Sequence, residues 1–439
     1  MTEKTIKIPK RILSALLSSL SAGVVPRVGA PYIAIGRTAE ISALCRDLET
    51  IGDGGSATRF IIGKYGSGKS FLIQLMRGYA IEHGFICADA DLSPERRLSS
   101  SGGGGIATYR ELIKNLSSKS SPDGRALPQI LAKWLSELMF EVENEGISSD
   151  SKIFFDAVSR KIHEALRELE SGVGSFDFAK VIATYCKACR DMDDEKQSLC
   201  LKWLRGEFGT KTEARAALGV TGIVNDDNWY DYIKLLASFI RRIGYGGLVL
   251  FIDERVNLYK IPNRVSRENN YEKILSIFND TLQGKAEGLC VIFAGTPQFL
   301  EDKRRGLFSY EALRSRLNDT MFGGGERQTQ PMFGPIIRLK RLSDDELLAL
   351  IARTTVLFCD GYGKVNVTPE EMRDFLYFML SKEGADTMIT PREIIRSYLT
   401  ALGILLSDGA KRLPDIYSSI APKEEEKSKE DFNPETIII

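Results

Sequence analysis

Gly63-Lys64-Tyr65-Gly66-Ser67-Gly68-Lys69-Ser70 is the stretch that decides the fold. It satisfies GxxxxGK followed by Ser or Thr in full. Before it stands Thr58-Arg59-Phe60-Ile61-Ile62, a β-branched and aromatic run that reads as a buried strand. After it, Phe71, Leu72, Leu75, Met76 and Tyr79 recur at helical spacing. Glycines between a strand and a helix let the chain curl until backbone N–H groups face a bound phosphate, and the helix N-terminus adds partial positive charge. The candidate nucleotide-binding residues are therefore Gly63, Lys64, Tyr65, Gly66, Ser67, Gly68, Lys69, Ser70 and Phe71. Lys69 is expected to reach the β- and γ-phosphates, and the Ser70 hydroxyl to ligate Mg²⁺. The alternative is a chance glycine-rich turn, which the flanking strand and helix argue against.

A second strand over 85–90 completes a βαβ unit, which implies a parallel sheet. Leu248-Val249-Leu250-Phe251-Ile252 then runs into Asp253-Glu254. A buried parallel strand puts such acids at its carboxyl edge, beside the phosphate loop. Asp253 is read as the residue holding the water shell of Mg²⁺, and Glu254 as the group that orients and polarises the attacking water. An adjacent Glu is what a hydrolysing enzyme needs and what a fold that only binds nucleotide can lack.

Three further residues read as reporters or triggers of hydrolysis. A strand through 288–296 ends at Thr296, where a polar side chain would meet the γ-phosphate or the water; the alternative is a Thr that caps a turn. In Leu313-Arg314-Ser315-Arg316-Leu317, Arg316 is the favoured arginine finger and Arg314 the second choice, against a helix that only makes ion pairs. Arg392 is the second residue of a helix starting after Thr390, placed to touch the γ-phosphate from a lid, against plain surface charge.

The totals set bounds. At about 100–200 residues per domain, 439 residues imply two to four structural units. Lys plus Arg and Asp plus Glu are both 59, so the zero net charge excludes a polycation while allowing a local basic face. Only His83 and His163 occur, which disfavours histidine triads and multi-His metal sites. Cys186, Cys189 and Cys200 lack a fourth zinc ligand and read as core cysteines. No signal peptide and no bilayer-length apolar run is seen, so the expected setting is a reducing cytoplasm without a membrane.

The fold class expected is α/β: a parallel-sheet P-loop core with a large helical insertion and a C-terminal helical lid. The boundaries read as 1–116 for an N-terminal helix and the first half of the core, 117–240 for a mostly helical insertion, and 241–335 for the second half. Residues 336–420 read as the lid, helical from Ile336 onward, and 421–439 as a flexible charged tail. Ser343 with Glu346, Thr368 with Glu371 and Thr390 with Glu393 have the spacing of capping boxes. Asp89 and Asp91 with Glu95, Arg96 and Arg97 read as a structural ion-pair cluster ahead of a metal site. Residues 99–105 read as a flexible Ser/Gly loop suited to moving on binding.

The motif order resembles AAA+ ATPases of the origin-recognition type, on Gly36-Arg37 with Glu40, the phosphate loop, Asp253-Glu254, Thr296, Ser315-Arg316 and Arg392. More closely, the phosphate loop, Ala88-Asp89-Ala90-Asp91-Leu92-Ser93-Pro94-Glu95-Arg96-Arg97, and Trp203-Leu204-Arg205-Gly206-Glu207 continuing into 210–215 resemble the ATP-binding proteins of BREX (bacteriophage exclusion) systems. The resemblance implies a DNA-associated ATPase inside a multi-protein phage-defence complex with partner defence proteins; the motifs themselves call for ATP and Mg²⁺, and an arginine finger acting in trans calls for self-association. Two departures stand out. About 180 residues separate Lys69 from Asp253, and little chain follows Arg392 for a winged-helix DNA-binding domain.

Two functions from different classes compete: a mechanochemical ATPase acting on DNA or a DNA-bound complex, favoured by Arg316, and a nucleotide-gated switch that recruits partners with little turnover, favoured by the insertion and the tail. A small-molecule kinase ranks last, because no acceptor site is seen. Basic candidates for DNA contact are Arg241-Arg242, Lys303-Arg304-Arg305, and Arg338 with Lys340-Arg341; solvated helix faces are the alternative.

Overall fold

In the computed structural model the described residues are 8–100, 102–151, 153–167, 169, 174–253, 258–317, 333–381 and 389–418. In chain order they form α1 (Lys10–Ser21), α2 (Thr38–Gly52), β1 (Ala57–Gly63), α3 (Lys69–Glu82) and β2 (Ile86–Asp91). A helical stretch follows: α4 (Gly104–Lys114), α5 (Leu127–Asn144), α6 (Phe154–Arg167), α7 (Ser175–Arg190), α8 (Asp194–Leu204), α9 (Lys211–Leu218) and α10 (Trp229–Arg242). Then come β3 (Leu248–Asp253), α11 (Arg264–Leu282), β4 (Leu289–Gly295), α12 (Pro297–Glu301), α13 (Glu311–Leu317) and β5 (Ile336–Leu339). The last helices are α14 (Asp344–Tyr362), α15 (Pro369–Leu380), α16 (Pro391–Ser407) and α17 (Leu413–Ser418).

Two compact units result, one of residues 25–342 and one combining the described parts of 1–24 and 343–439. In the larger unit five parallel strands run in the order β2-β3-β4-β1-β5. Side chains alternate between the two faces of a strand, and here both faces are covered, so the strands are apolar nearly throughout. Ile61, Val249, Phe251 and Ile292 face α2 and α3. Phe60, Leu250, Ile252 and Phe293 face the opposite way, into a core shared with the helices of the insertion. The insertion therefore has no separate core: Trp134 and Phe178 pack edge-on against Phe239 of α10, at ring separations of 5.1 and 5.9 Å. Of the charged residues in the sheet, one is buried. Arg59 of β1 donates from Nε and Nη2 to the two carboxylate oxygens of Asp47 on α2, at 2.6 and 2.8 Å, and that two-point pairing offsets its dehydration.

Three expectations are corrected. Residues 336–339 form strand β5, not the start of the helical lid: Phe60 to Gly63 of β1 pair with Ile336 to Leu339, which satisfies that edge of the sheet. The N-terminal helix α1 does not belong with the first half of the core. Its apolar stripe, Leu13, Leu16 and Leu17, is buried where α1 packs on α14 and α16. The Ser/Gly loop is tied down at both ends. Asn270 Oδ1 accepts from Leu98 N and Ser99 N at 2.9 and 3.0 Å, Trp229 Nε1 donates to Leu98 O at 3.0 Å, and Asp226 Oδ1 accepts from Gly105 N and Ile106 N at 2.5 and 2.9 Å. Ser101 in its middle lies outside the described residues.

In the smaller unit all three expected helix starts are capping boxes, at Ser343/Glu346, Thr368/Glu371 and Thr390/Glu393. Each satisfies two backbone donors at a helix mouth that otherwise have no partner. The charged tail over 421–439 lies outside the described residues.

Candidate functional site

The phosphate loop links the carboxyl end of β1 to the mouth of α3. Its glycines are required for two different reasons. Gly66 (φ 77°) and Gly68 (φ 89°) hold left-handed conformations that only glycine adopts without cost. Gly63 is instead short of space, since a Cβ there would lie 2.3 Å from Ser67 Oγ and 3.1 Å from Leu339 Cβ. Lys69 is the first residue of α3, and its Nζ donates to Gly63 O and Lys64 O at 2.7 and 3.0 Å. Ser67 is 2% exposed, and its Oγ is buried with no hydrogen-bond partner. The loop is thus a tight backbone cradle with a cation at its rim.

Strand register brings Asp253 to the same edge. Asp253 pairs with Ala294 of β4, which pairs with Ile61 of β1, so β4 lies between the acid and the loop. The two still communicate: burial lowers the Lys69 pKa from its ordinary value, and the charge of Asp253 opposes that shift. Ser70 is exposed on the first turn of α3. Glu254 lies outside the described residues. Asp91 of β2 is in register with Asp253, one strand further out. Asp89 is held by Arg77 of α3 at 3.2 Å, and Arg96 Nε donates to the Asp91 backbone carbonyl at 3.0 Å.

Thr296 follows Gly295, which pairs with Ile62, so Thr296 and Gly63 leave neighbouring strands at the same level. Its Oγ1 accepts from Phe299 N at 3.3 Å and caps α12. Arg316 is exposed on α13, donating to Asn279 Oδ1 at 3.1 Å and to Ala312 O at 2.8 Å; Arg314 reaches Glu311 at 3.9 Å. Arg392 stands on the first turn of α16, in the smaller unit. The structure therefore gathers the phosphate loop, Asp253 and Thr296 on one sheet edge, and leaves Arg316 and Arg392 on other elements.

One residue of the site was not singled out for a role in the loop. Arg37 Nη2 donates to Ser67 O at 3.0 Å and also to Lys340 O, while its Nη1 pairs with Glu40 at 3.1 Å. Gly36-Arg37 with Glu40 was visible as a pattern, but its reach across to the loop was not, because the partners are far apart in the chain. The cysteines behave as core: burial pushes the thiols of Cys186 and Cys200 up to about 12, so they are protonated. Among the described residues no group of three or more His, Cys, Asp or Glu side chains is arranged to hold a metal ion. No helix among them is long and apolar enough to cross a membrane.

Comparison with known families bears on what the chain binds. The family model for the BREX system ATP-binding protein BrxC/D matches residues 8–420. The chain belongs to this BrxC/D family. No curated protein matches it. Membership means an ATP-binding protein of BREX phage defence, and the matched span takes in both units and the whole insertion.

Proposed function

We propose that this BrxC/D-family chain is an AAA+-type ATPase that hydrolyses ATP·Mg to drive conformational change on DNA or a DNA-bound defence complex. The observation that carries the reading is the Lys69–Asp253 relationship: a loop lysine within the field of an acid two strands away, at the carboxyl edge of a parallel sheet. In this reading the loop's N–H groups and Lys69 hold the β- and γ-phosphates. Glu254 takes a proton from the attacking water, and Thr296, which follows the strand between loop and acid, orients that water. Arg316, exposed on α13, serves a neighbouring copy, so turnover depends on self-association. Arg392 acts from the helical unit as a second γ-phosphate contact.

The residues present suit Mg²⁺. The Gly63 cradle is closed to any Cβ, the Ser67 hydroxyl is buried without a partner, and Asp253 adds a carboxylate. Ser70 and Asp253 would hold the ion, which would supply neutralisation of phosphate charge. A nucleotide-gated switch with little turnover is the second reading, favoured by the insertion sharing one core with the sheet face. The deciding experiment measures ATP hydrolysis with and without duplex DNA, beside Glu254→Gln. Turnover that DNA raises and the substitution abolishes supports the ATPase; tight binding without turnover, indifferent to DNA, sinks it in favour of the switch.

A further inference from the structure

Of the three basic stretches in the sequence, the structure sets one apart. Arg241 pairs with Glu287 at 2.5 Å and Arg338 with Glu301, while Arg242 and Arg341 also have partners. In Lys303-Arg304-Arg305 no side chain meets a carboxylate among the described residues. Arg305 Nη2 donates only to neutral oxygens, Ile261 O at 3.2 Å and Lys260 O at 3.4 Å, and its guanidinium lies over the Tyr259 ring at 5.8 Å. The acid of this turn faces the backbone. Asp302 Oδ1 accepts from Arg304 N and Arg305 N at 2.7 and 2.9 Å, and Oδ2 accepts from Tyr259 OH at 3.1 Å. Those bonds shape a turn that leaves the Lys303 and Arg304 side chains exposed.

Beneath the turn lies Arg267 of α11, 6% exposed. Its Nη1 donates at 2.8 Å to Ile261 O, the carbonyl that Arg305 also uses, and its Nε is buried with no partner. Lys260, exposed in the same loop, adds a further cation. Dehydrating a guanidinium without a carboxylate is costly. Arg267 and Arg305 share one carbonyl, and the turn's acid, Asp302, bonds to the backbone and to Tyr259 and reaches Arg304 only through its charge, so the cations of this face outnumber it and call for counter-charge from another molecule.

We propose that Lys260, Lys303, Arg304 and Arg305, backed by Arg267, form a surface that binds the phosphodiester backbone of a nucleic acid. The inference deepens the DNA-acting reading above and rests on it. Long cationic side chains on a turn and a loop contact phosphates and offer no helix for reading base edges, so binding is tolerant of sequence and steeply dependent on salt. Lys260 follows Asp253 by seven residues in the sequence, a short separation between this surface and the end of β3.

The test is fluorescence anisotropy of the full chain with short labelled duplex DNA, single-stranded DNA and duplex RNA, across a series of KCl concentrations. Lys303→Gln with Arg304→Gln should lower the slope of log Kd against log[KCl] by about 2 and weaken binding equally for every sequence tried. Arg160→Gln with Lys187→Gln, exposed on α6 and α7, is the control and should leave the slope intact. Parallel loss on DNA and RNA supports phosphodiester recognition, and their relative affinities identify the source. An unchanged slope, an equal loss in the control, or binding of polyglutamate with no binding of nucleic acid overturns the proposal. ATP turnover without nucleic acid is measured on the same preparations. A chain that turns over no ATP, but whose salt slope the two substitutions still lower, sinks the catalytic reading alone; an active chain whose slope they leave unchanged sinks this surface alone.

Discussion

Arg37 holds the middle of the phosphate loop from outside it: its Nη2 lies 3.0 Å from the carbonyl oxygen of Ser67. The same guanidinium is oriented by Glu40 and donates to Lys340 O at the end of β5. Arg37 takes up this position with φ at 66°, a conformation that costs a non-glycine residue energy and that these bonds offset.

Arg37→Ala should therefore loosen the loop. Removing a charged donor that bridges partly buried carbonyls is expected to cost about 1–3 kcal/mol of stability. ATP affinity should fall with it, and Arg37→Lys should rescue little, since an ammonium cannot reproduce the planar fork. ATP titration beside thermal unfolding checks this. A lower Tm with unchanged ATP affinity would reduce Arg37 to a purely structural role.

Lys69→Met should abolish ATP binding while leaving the nucleotide-free protein at least as stable. Burial disfavours the Lys69 ammonium, with Asp253 only opposing the effect, so the native pKa lies below 10.5. Between that lowered value and 10.5 the unfolded chain binds more protons than the native one, so wild-type stability rises with pH across the window. ATP affinity should weaken across the same window as the cation is lost. Scanning calorimetry with ATP at about 100 times Kd should show roughly 2.7 kcal/mol of stabilisation in wild type and none in the variant.

Gly63→Ala should disable the loop by crowding. The added methyl would meet Ser67 Oγ at 2.3 Å, so Ser67 or β5 must move. Ser67→Gly in the same chain removes that contact and should recover part of the lost ATP affinity. A double-mutant cycle reads the coupling, and strictly additive effects would contradict the steric account.

Glu371 should give the smaller unit an acid-sensitive contribution. Burial pushes its carboxyl up, but bonds from Thr368 N and the Arg412 guanidinium outweigh this, and its pKa is lowered overall. The contribution is complete above the ordinary glutamate value of about 4.3 and is lost as pH falls through the lower native value. Glu371→Gln should cost about 1–2 kcal/mol at neutral pH and flatten that acid limb. Tm followed from neutral pH downward is the measurement.

What was legible in the sequence lies within a few residues along the chain. The phosphate loop is written in Gly63, Gly66 and Gly68 because left-handed φ and close approach are properties of single residues. The three helix starts are legible for the same reason, each box closing over three residues. The apolar runs of β1, β3 and β4 are legible because a strand covered on both faces leaves no polar position to hide it. Strand β5 is the counter-example: four residues at a sheet edge carry too little period to be seen, and pairing with β1 makes them a strand.

The sequence by itself determined a P-loop sheet, the loop's conformation and the helix starts, since each follows from backbone and side-chain chemistry within one turn. Only the tertiary structure decided that α1 joins the C-terminal helices, that Asn270 and Asp226 pin the Ser/Gly loop, and that Arg37 braces Ser67. It also decided which basic run has no side chain paired with a carboxylate among the described residues. These depend on partners from about 30 to more than 300 residues away, and such pairings are selected by the free energy of the whole packed core and not by any local preference.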